Sequence, residues 1–195
     1  MFYFIVSRFY MLYLKITRGL KIYNRENIPK KGAFLLISNH ISNDDPFVLA
    51  CSTNRPLTYM AKDNLFKNIF GRIFFRLMHT YPIDRNGDPR EVLNQFIDFL
   101  KAGKPSVMFP EGTRNKVDDN PAPFKKGAAL VAIKAGVPVV PMAVLGTNHK
   151  KARILAICGE VVMPPVVNNK SNLNEFNELL AQRVNELIEE LRKLQ

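Results

Sequence analysis

The stretch Ser38-Asn39-His40-Ile41-Ser42-Asn43-Asp44-Asp45-Pro46 places a histidine five residues ahead of an aspartate. The apolar run Ala33-Phe34-Leu35-Leu36-Ile37 comes just before it and reads as a buried strand. His40 and Asp45 then fall in the loop at the strand's C-terminal end, where open α/β sheets hold their ligands. A histidine held by a carboxylate keeps one tautomer and can take a proton from a hydroxyl. No serine or cysteine sits in a nucleophile elbow to complete a triad, so the proton removed would belong to the substrate. A plainer role is open to the same residues. Asp45 before Pro46 is also a helix start, with Asp as N-cap and Pro at the first helical position. His40 would then be a loop histidine bonded to backbone.

Two more loops carry groups that could work with this pair. Pro82-Ile83-Asp84-Arg85 ends an apolar segment and delivers Arg85, which could equally form a local ion pair with Asp84. Val107-Met108-Phe109 runs into Pro110-Glu111-Gly112-Thr113-Arg114, which supplies a carboxylate, a flexible backbone, a hydroxyl and a guanidinium. That set suits a polyol hydroxyl next to a phosphate, because arginine binds phosphate bidentately. Glu111 and Arg114 could instead pair with each other.

The elements that must position these loops follow from hydrophobic periodicity. Strands are predicted at Leu20–Tyr23, Ala33–Ser38, Thr58–Ala61, Thr80–Ile83, Ser106–Phe109, Val139–Leu145 and Ile154–Val162. Helices are predicted at Phe2–Ile16, Pro46–Cys51, Asn64–Met78, Pro89–Ala102, Gly127–Ala135 and Leu173–Leu194. The reading is an α/β single domain, a mixed sheet of about seven strands flanked by helices. The prolines of Val137-Pro138-Val139-Val140-Pro141 argue that this strand lies at an edge.

Charge narrows the choice of partner. Lys and Arg total 28 against 17 Asp and Glu, a formal +11, which favours an anionic partner. Aromatic and basic residues do not interleave as in RNA-binding motifs, so no nucleic acid is expected. Cys51 and Cys158 have no metal or redox spacing, and with three histidines no metal site is expected. The N-terminus, MFYFIVSRFYMLYLKIT, is aromatic-rich and broken only by Arg8 and Lys15. It is too charged to span a bilayer and lacks a signal-peptide cleavage site. Residues 1–18 therefore read as an interfacial helix on an anionic membrane, the alternative being a helix buried on the sheet. Asn64–Met78 repeats that composition, with Lys67, Arg72 and Arg76 beside an apolar set. It reads either as a second surface helix or as a core helix with a basic outer face.

Taken in order, NHISNDDP, PIDR, FPEGTRN and VPVVP resemble the motifs of the glycerophospholipid acyltransferase family, the bacterial lysophosphatidic acid acyltransferases being the nearest branch. Met60-Ala61-Lys62 and Pro123-Phe124-Lys125-Lys126-Gly127-Ala128-Ala129-Leu130 add to the likeness, which runs from Leu20 through Val162. The resemblance implies an acyltransferase domain over 19–195. It would move a fatty acyl group from acyl-carrier protein or acyl-CoA to the 2-hydroxyl of 1-acyl-sn-glycerol 3-phosphate, giving phosphatidic acid. It implies His40 as the base and Asp45, by the four-residue gap, as its partner. Lys62, Arg85 and Arg114 would hold the phosphate, Glu111 and Thr113 would position the glycerol, and Gly112 would belong to the same substrate-binding turn. The VPVVP strand could wall the acyl chain. No cofactor is expected, because a thioester is already activated. The implied location is the cytoplasmic face of the cell membrane, as a peripheral or monotopic protein. Alternatives are another acceptor (glycerol 3-phosphate or another lysophospholipid), a hydrolase, or a non-catalytic basic membrane-binding module. One departure stands out: the family usually has a glycine a few residues before the second-motif arginine, where this chain has His79-Thr80-Tyr81.

Overall fold

Alternation along the central strands divides the core in two. In β2 (Leu35–Ser38), Leu35 and Ile37 face one apolar cluster, while Leu36 and the preceding Phe34 face another. In β6 (Val139–Leu145), Val139, Ala143 and Leu145 join the first cluster, and Val140, Met142 and Val144 the second. A strand apolar on both faces must be covered on both, as in α/β layered folds. The computed structural model describes residues 1–84, 87–115, 121–167 and 169–195 and shows those two covers. Helices α4 (Pro89–Lys101), α5 (Gly127–Ala135) and α6 (Lys170–Arg192) supply the first cluster, and α1 (Phe2–Arg18) and α2 (Asp45–Ser52) the second.

The main sheet runs β1-β7-β6-β2-β5, with β1 at Lys21–Tyr23, β5 at Ser106–Met108 and β7 at Leu155–Cys158. All pairs are parallel except β6 with β7. A second pair, β3 (Tyr59–Lys62) with β4 (Thr80–Ile83), is also parallel. It joins the edge of β5 through a bridge from Thr58 to Ser106, where Thr58 N–H donates to Pro105 O and Val107 N–H to Thr58 O. The seven strands thus form one mixed layer, and the C-terminal ends of β6, β2, β5, β3 and β4 share one edge.

The proline-bearing strand is not at an edge: β6 lies between β7 and β2. A bulge reconciles it with the ladder. Met142 faces Cys158 but Val139 faces Val162, so three steps on β6 match four on the returning segment. The nitrogen of Pro141 points to that side, as the Val139 N–H does, where the extra residue leaves no ladder bond to make. The same bulge ends β7 at Cys158 instead of carrying it to Val162.

The segment 64–78 is not one helix either. Asp63–Phe66 forms a 3-10 turn, and Asn68 then caps α3 (Ile69–Leu77), its side chain accepting from Gly71 N–H at 2.6 Å. After α3, His79 takes a left-handed conformation, φ 53°. This is where a helix C-terminus ordinarily places glycine. The departure from the family pattern at His79 is therefore a side chain occupying a glycine-type backbone position.

No helix among the described residues is long and apolar enough to cross a membrane. Helix α1 buries Tyr3, Ser7 and Leu14 against the domain and ends at Gly19, φ 56°. Its other face leaves Ile5, Phe9, Leu12, Tyr13 and Ile16 exposed.

Candidate active site

The site is built where β2 ends. Asn39 is fully buried, and its side-chain amide continues the ladder that the backbone leaves off: Nδ2 donates to Val144 O at 2.8 Å and Oδ1 accepts from Val144 N–H at 2.9 Å. The next residue is held on both sides of its own peptide. His40 N–H donates to Glu111 Oε1 at 2.7 Å, and His40 O accepts from Asn115 N–H at 2.7 Å. The loop after β5 therefore fixes the backbone of the histidine, and Phe109 from that loop stacks on the imidazole, with ring centres 3.9 Å apart.

His40 Nδ1 meets Asp45 Oδ2 at 2.8 Å. The same oxygen accepts from Ile41 N–H and Ser42 N–H at 2.7 Å each, and Oδ1 accepts from the Thr147 hydroxyl at 2.6 Å. Four donors on two oxygens is a complement for a carboxylate, which has only acceptor sites. His40 in its neutral form then carries its proton on Nδ1, and Nε2 keeps its lone pair on the far side of the ring. Asp45 has no exposed surface, whereas the His40 side chain retains 18%. One end of the pair is anchored and the other is open. Asp45 does begin α2, but its side chain turns into the loop and makes no N-cap bond, and Asp44 takes the preceding position. Asp44 itself accepts from Tyr10 OH of α1 at 3.0 Å.

Glu111 is buried, with Oε2 accepting from Ala122 N–H at 2.8 Å and Oε1 from His40 N–H. Burial pushes its carboxyl above the usual range, and those two amides pull it partly back. Both its oxygens thus serve the loops that frame the pair. Glu111 and Arg114 form no ion pair with each other. Gly112 has φ 75°, and a Cβ there would crowd the Lys125 ammonium, so the turn brings a lysine over its backbone. Thr113 and Arg114 are exposed just beyond. Lys62 is exposed at the end of β3 on the same sheet edge, two strand spacings or about 10 Å along from β2. Arg85 lies outside the described residues.

Two roles in the site cannot be read from the motifs that contain them, Asn39 as a clamp and Phe109 as a stacking partner, and Thr147 lies outside every motif. The last had one clue, a polar residue just past a strand that points to the His40 edge. Gly146 makes that position possible, since at φ 83° a Cβ would collide with the Arg153 carbonyl.

A buried carboxylate holds an imidazole with one free nitrogen beside exposed cations on the same sheet edge, an arrangement with the chemistry to take a proton from a hydroxyl and to meet an anion. The sequence profile described as Acyltransferase matches residues 19–145. A Bacillus subtilis protein, 1-acyl-sn-glycerol-3-phosphate acyltransferase, is 31% identical over 190 residues, spanning 93% of this chain and 94% of its own. A Mycoplasma pneumoniae protein described as a probable 1-acyl-sn-glycerol-3-phosphate acyltransferase is 37% identical, over 92% of this chain and 72% of its own. The crystal structure of the 1-acyl-sn-glycerophosphate (LPA) acyltransferase of Thermotoga maritima superposes with a TM-score of 0.79 over 95% of this chain and 79% of that one, at 24% identity, a likeness of fold. The chain belongs to the acyltransferase family.

Proposed function

We propose that this enzyme transfers a fatty acyl group from the thioester of acyl-carrier protein or coenzyme A to the 2-hydroxyl of 1-acyl-sn-glycerol 3-phosphate, forming phosphatidic acid. The observation that carries this reading is the His40–Asp45 pair, with Nδ1 bound to a fully buried carboxylate and Nε2 free. His40 Nε2 takes the hydroxyl proton as the oxygen attacks the thioester carbonyl carbon. The C–S bond then breaks, and the imidazolium gives the proton to the departing thiolate. Asp45 holds the tautomer and balances the imidazolium charge. Nothing needs to be oxidised or reduced, and no covalent enzyme intermediate is required.

Arg114, Lys62 and Arg85 bind the acceptor phosphate, with Gly112 and Thr113 against the glycerol. Glu111 contributes to that contact by fixing the two loops. The acceptor is a bilayer lipid, and the exposed apolar face of α1 supports a peripheral position on a membrane, which our reading takes to be the cytoplasmic face of the cell membrane. The decisive experiment mixes the purified full-length chain with 1-acyl-sn-glycerol 3-phosphate and each thioester in turn, with products resolved by mass. Phosphatidic acid and free thiol should appear in equal amounts and vanish in His40→Ala. Release of free fatty acid alone would make the protein a thioester hydrolase.

A further inference from the structure

The apolar face of α1 does not stand alone. Phe2, at its start, meets Phe74 of α3 edge to face, with ring centres 6.1 Å apart. Phe74 is the inward side of α3, packed on the same core cluster as α1. On the outward side, Leu65, Ile69, Phe70, Ile73 and Leu77 are exposed, with Phe70 at 83% and Ile73 at 52%. Spacings of three and four residues put Ile69, Phe70, Ile73 and Leu77 on one stripe of α3, and Leu65 lies in the 3-10 turn just before it. A monomeric protein seldom leaves so many large apolar side chains together in water. Lys67, Arg72 and Arg76 sit among them, exposed, and none pairs with a carboxylate among the described residues.

We infer that α3 is a second membrane-docking helix, continuous with α1 at the Phe2–Phe74 contact, and that the two together seat the protein on an anionic lipid bilayer. The occupant follows from composition. A protein partner would cover the apolar stripe but leave the interspersed cations to be desolvated or matched one by one. An anionic bilayer takes both, with apolar side chains entering the acyl boundary and cations meeting headgroup phosphates. Position in the fold agrees. Helix α3 lies between β3 and β4, the pair whose ends carry Lys62 and lead into Arg85. A bilayer against α3 therefore borders the cationic end of the site, where the proposed acceptor's phosphate would enter. This last point rests on the reading given under Proposed function, whereas the docking itself does not.

The test uses the full-length protein and vesicles of phosphatidylcholine with and without phosphatidylglycerol. The double variant Phe70→Asp/Ile73→Asp alters only exposed side chains. It should weaken sedimentation with anionic vesicles tenfold or more, as should Phe9→Asp/Ile16→Asp on α1, and the combined variant should fail to bind. The α3 variant should acylate a short-chain acceptor, dissolved as monomers, at the wild-type rate. Wild-type vesicle affinity in the α3 variant would overturn the inference, as would lost activity on the monomeric acceptor, which would place the stripe in the substrate pocket. A shift from dimer to monomer in light scattering, with vesicle binding intact, would also overturn it by making the stripe a protein interface. If α3 governs vesicle binding while the wild type acylates no lysophosphatidate, the docking stands and the proposed reaction falls.

Discussion

Thr147 donates its hydroxyl to Asp45 Oδ1 at 2.6 Å, and neither residue has appreciable contact with solvent. The bond fixes the carboxylate oxygen that His40 does not use, and so sets the plane in which the other meets the imidazole. Thr147→Val keeps the shape and removes the donor, leaving a buried acceptor unsatisfied at about 1–3 kcal/mol. Turnover should fall by about tenfold or more, with both KM values little changed. Thr147→Ser should recover most of it. If valine and serine behave alike, the hydroxyl has no positioning role.

His40→Ala should reduce transfer by roughly 10²–10⁴-fold, the usual size of a general-base contribution, while circular dichroism and melting stay near wild type. Asp45→Asn should be severe as well, since an amide presents a donor where four donors already converge. Asp44→Asn should be mild, because that carboxylate is bonded to Tyr10 and not to the histidine. Steady-state rates of the three variants check the assignment, and a large loss in Asp44→Asn with a small one in Asp45→Asn would reverse it.

Arg114 is exposed and has no carboxylate partner among the described residues, so it is available to a phosphate. A charge-assisted contact of this kind is worth about 1.5–3 kcal/mol. Arg114→Ala should raise the acceptor KM by about 10–100-fold and leave the donor KM nearly unchanged. A rise confined to the donor would move this arginine to the thioester's side of the site.

His79 gives a pH dependence with a definite sign. Partial desolvation of a ring that still meets solvent, then Lys104 and the N-terminal amine, hold its imidazole below the usual range. The unfolded chain therefore binds this proton more readily than the folded one. The stability contributed is present above the ordinary histidine range and is lost as pH falls through the lowered folded value. His79→Asn suits the left-handed backbone at φ 53° and carries no titratable ring. Urea midpoints at pH 7.5 and pH 5 should converge for the variant relative to the wild type. An unchanged pH dependence would assign the acid sensitivity elsewhere.

Local signals in the chain were enough for the strand cores and for the start and end of α5, whereas the preference for Asp45 over Asp44 came from the family resemblance. They failed where distant partners decide. Pro141 was compatible with a central strand only because the segment after Cys158 holds an extra residue. The apolar periodicity of 64–78 ran on past Asn68, whose side chain nonetheless restarts the helix by capping Gly71. Within the site, His40, Asp45 and the Glu111–Arg114 turn are legible because their chemistry is local to short motifs. Asn39 clamps Val144 and Thr147 reaches Asp45 from more than a hundred positions away, and no local pattern encodes such pairings.

Those long reaches also govern when the protein can first work. The amide of His40 awaits Glu111, 71 positions later, and Asp45 awaits Thr147, 102 positions later. During synthesis, the motif nearest the N-terminus emerges early but has nothing to hold it until β5 and then β6 have been made and have slotted in beside β2. Non-local pairing of this kind is the slow part of folding. A nascent or truncated chain ending before Thr147 would carry the histidine and its aspartate without a working geometry, which makes onset of turnover a clock for the docking of β5 and β6 beside β2.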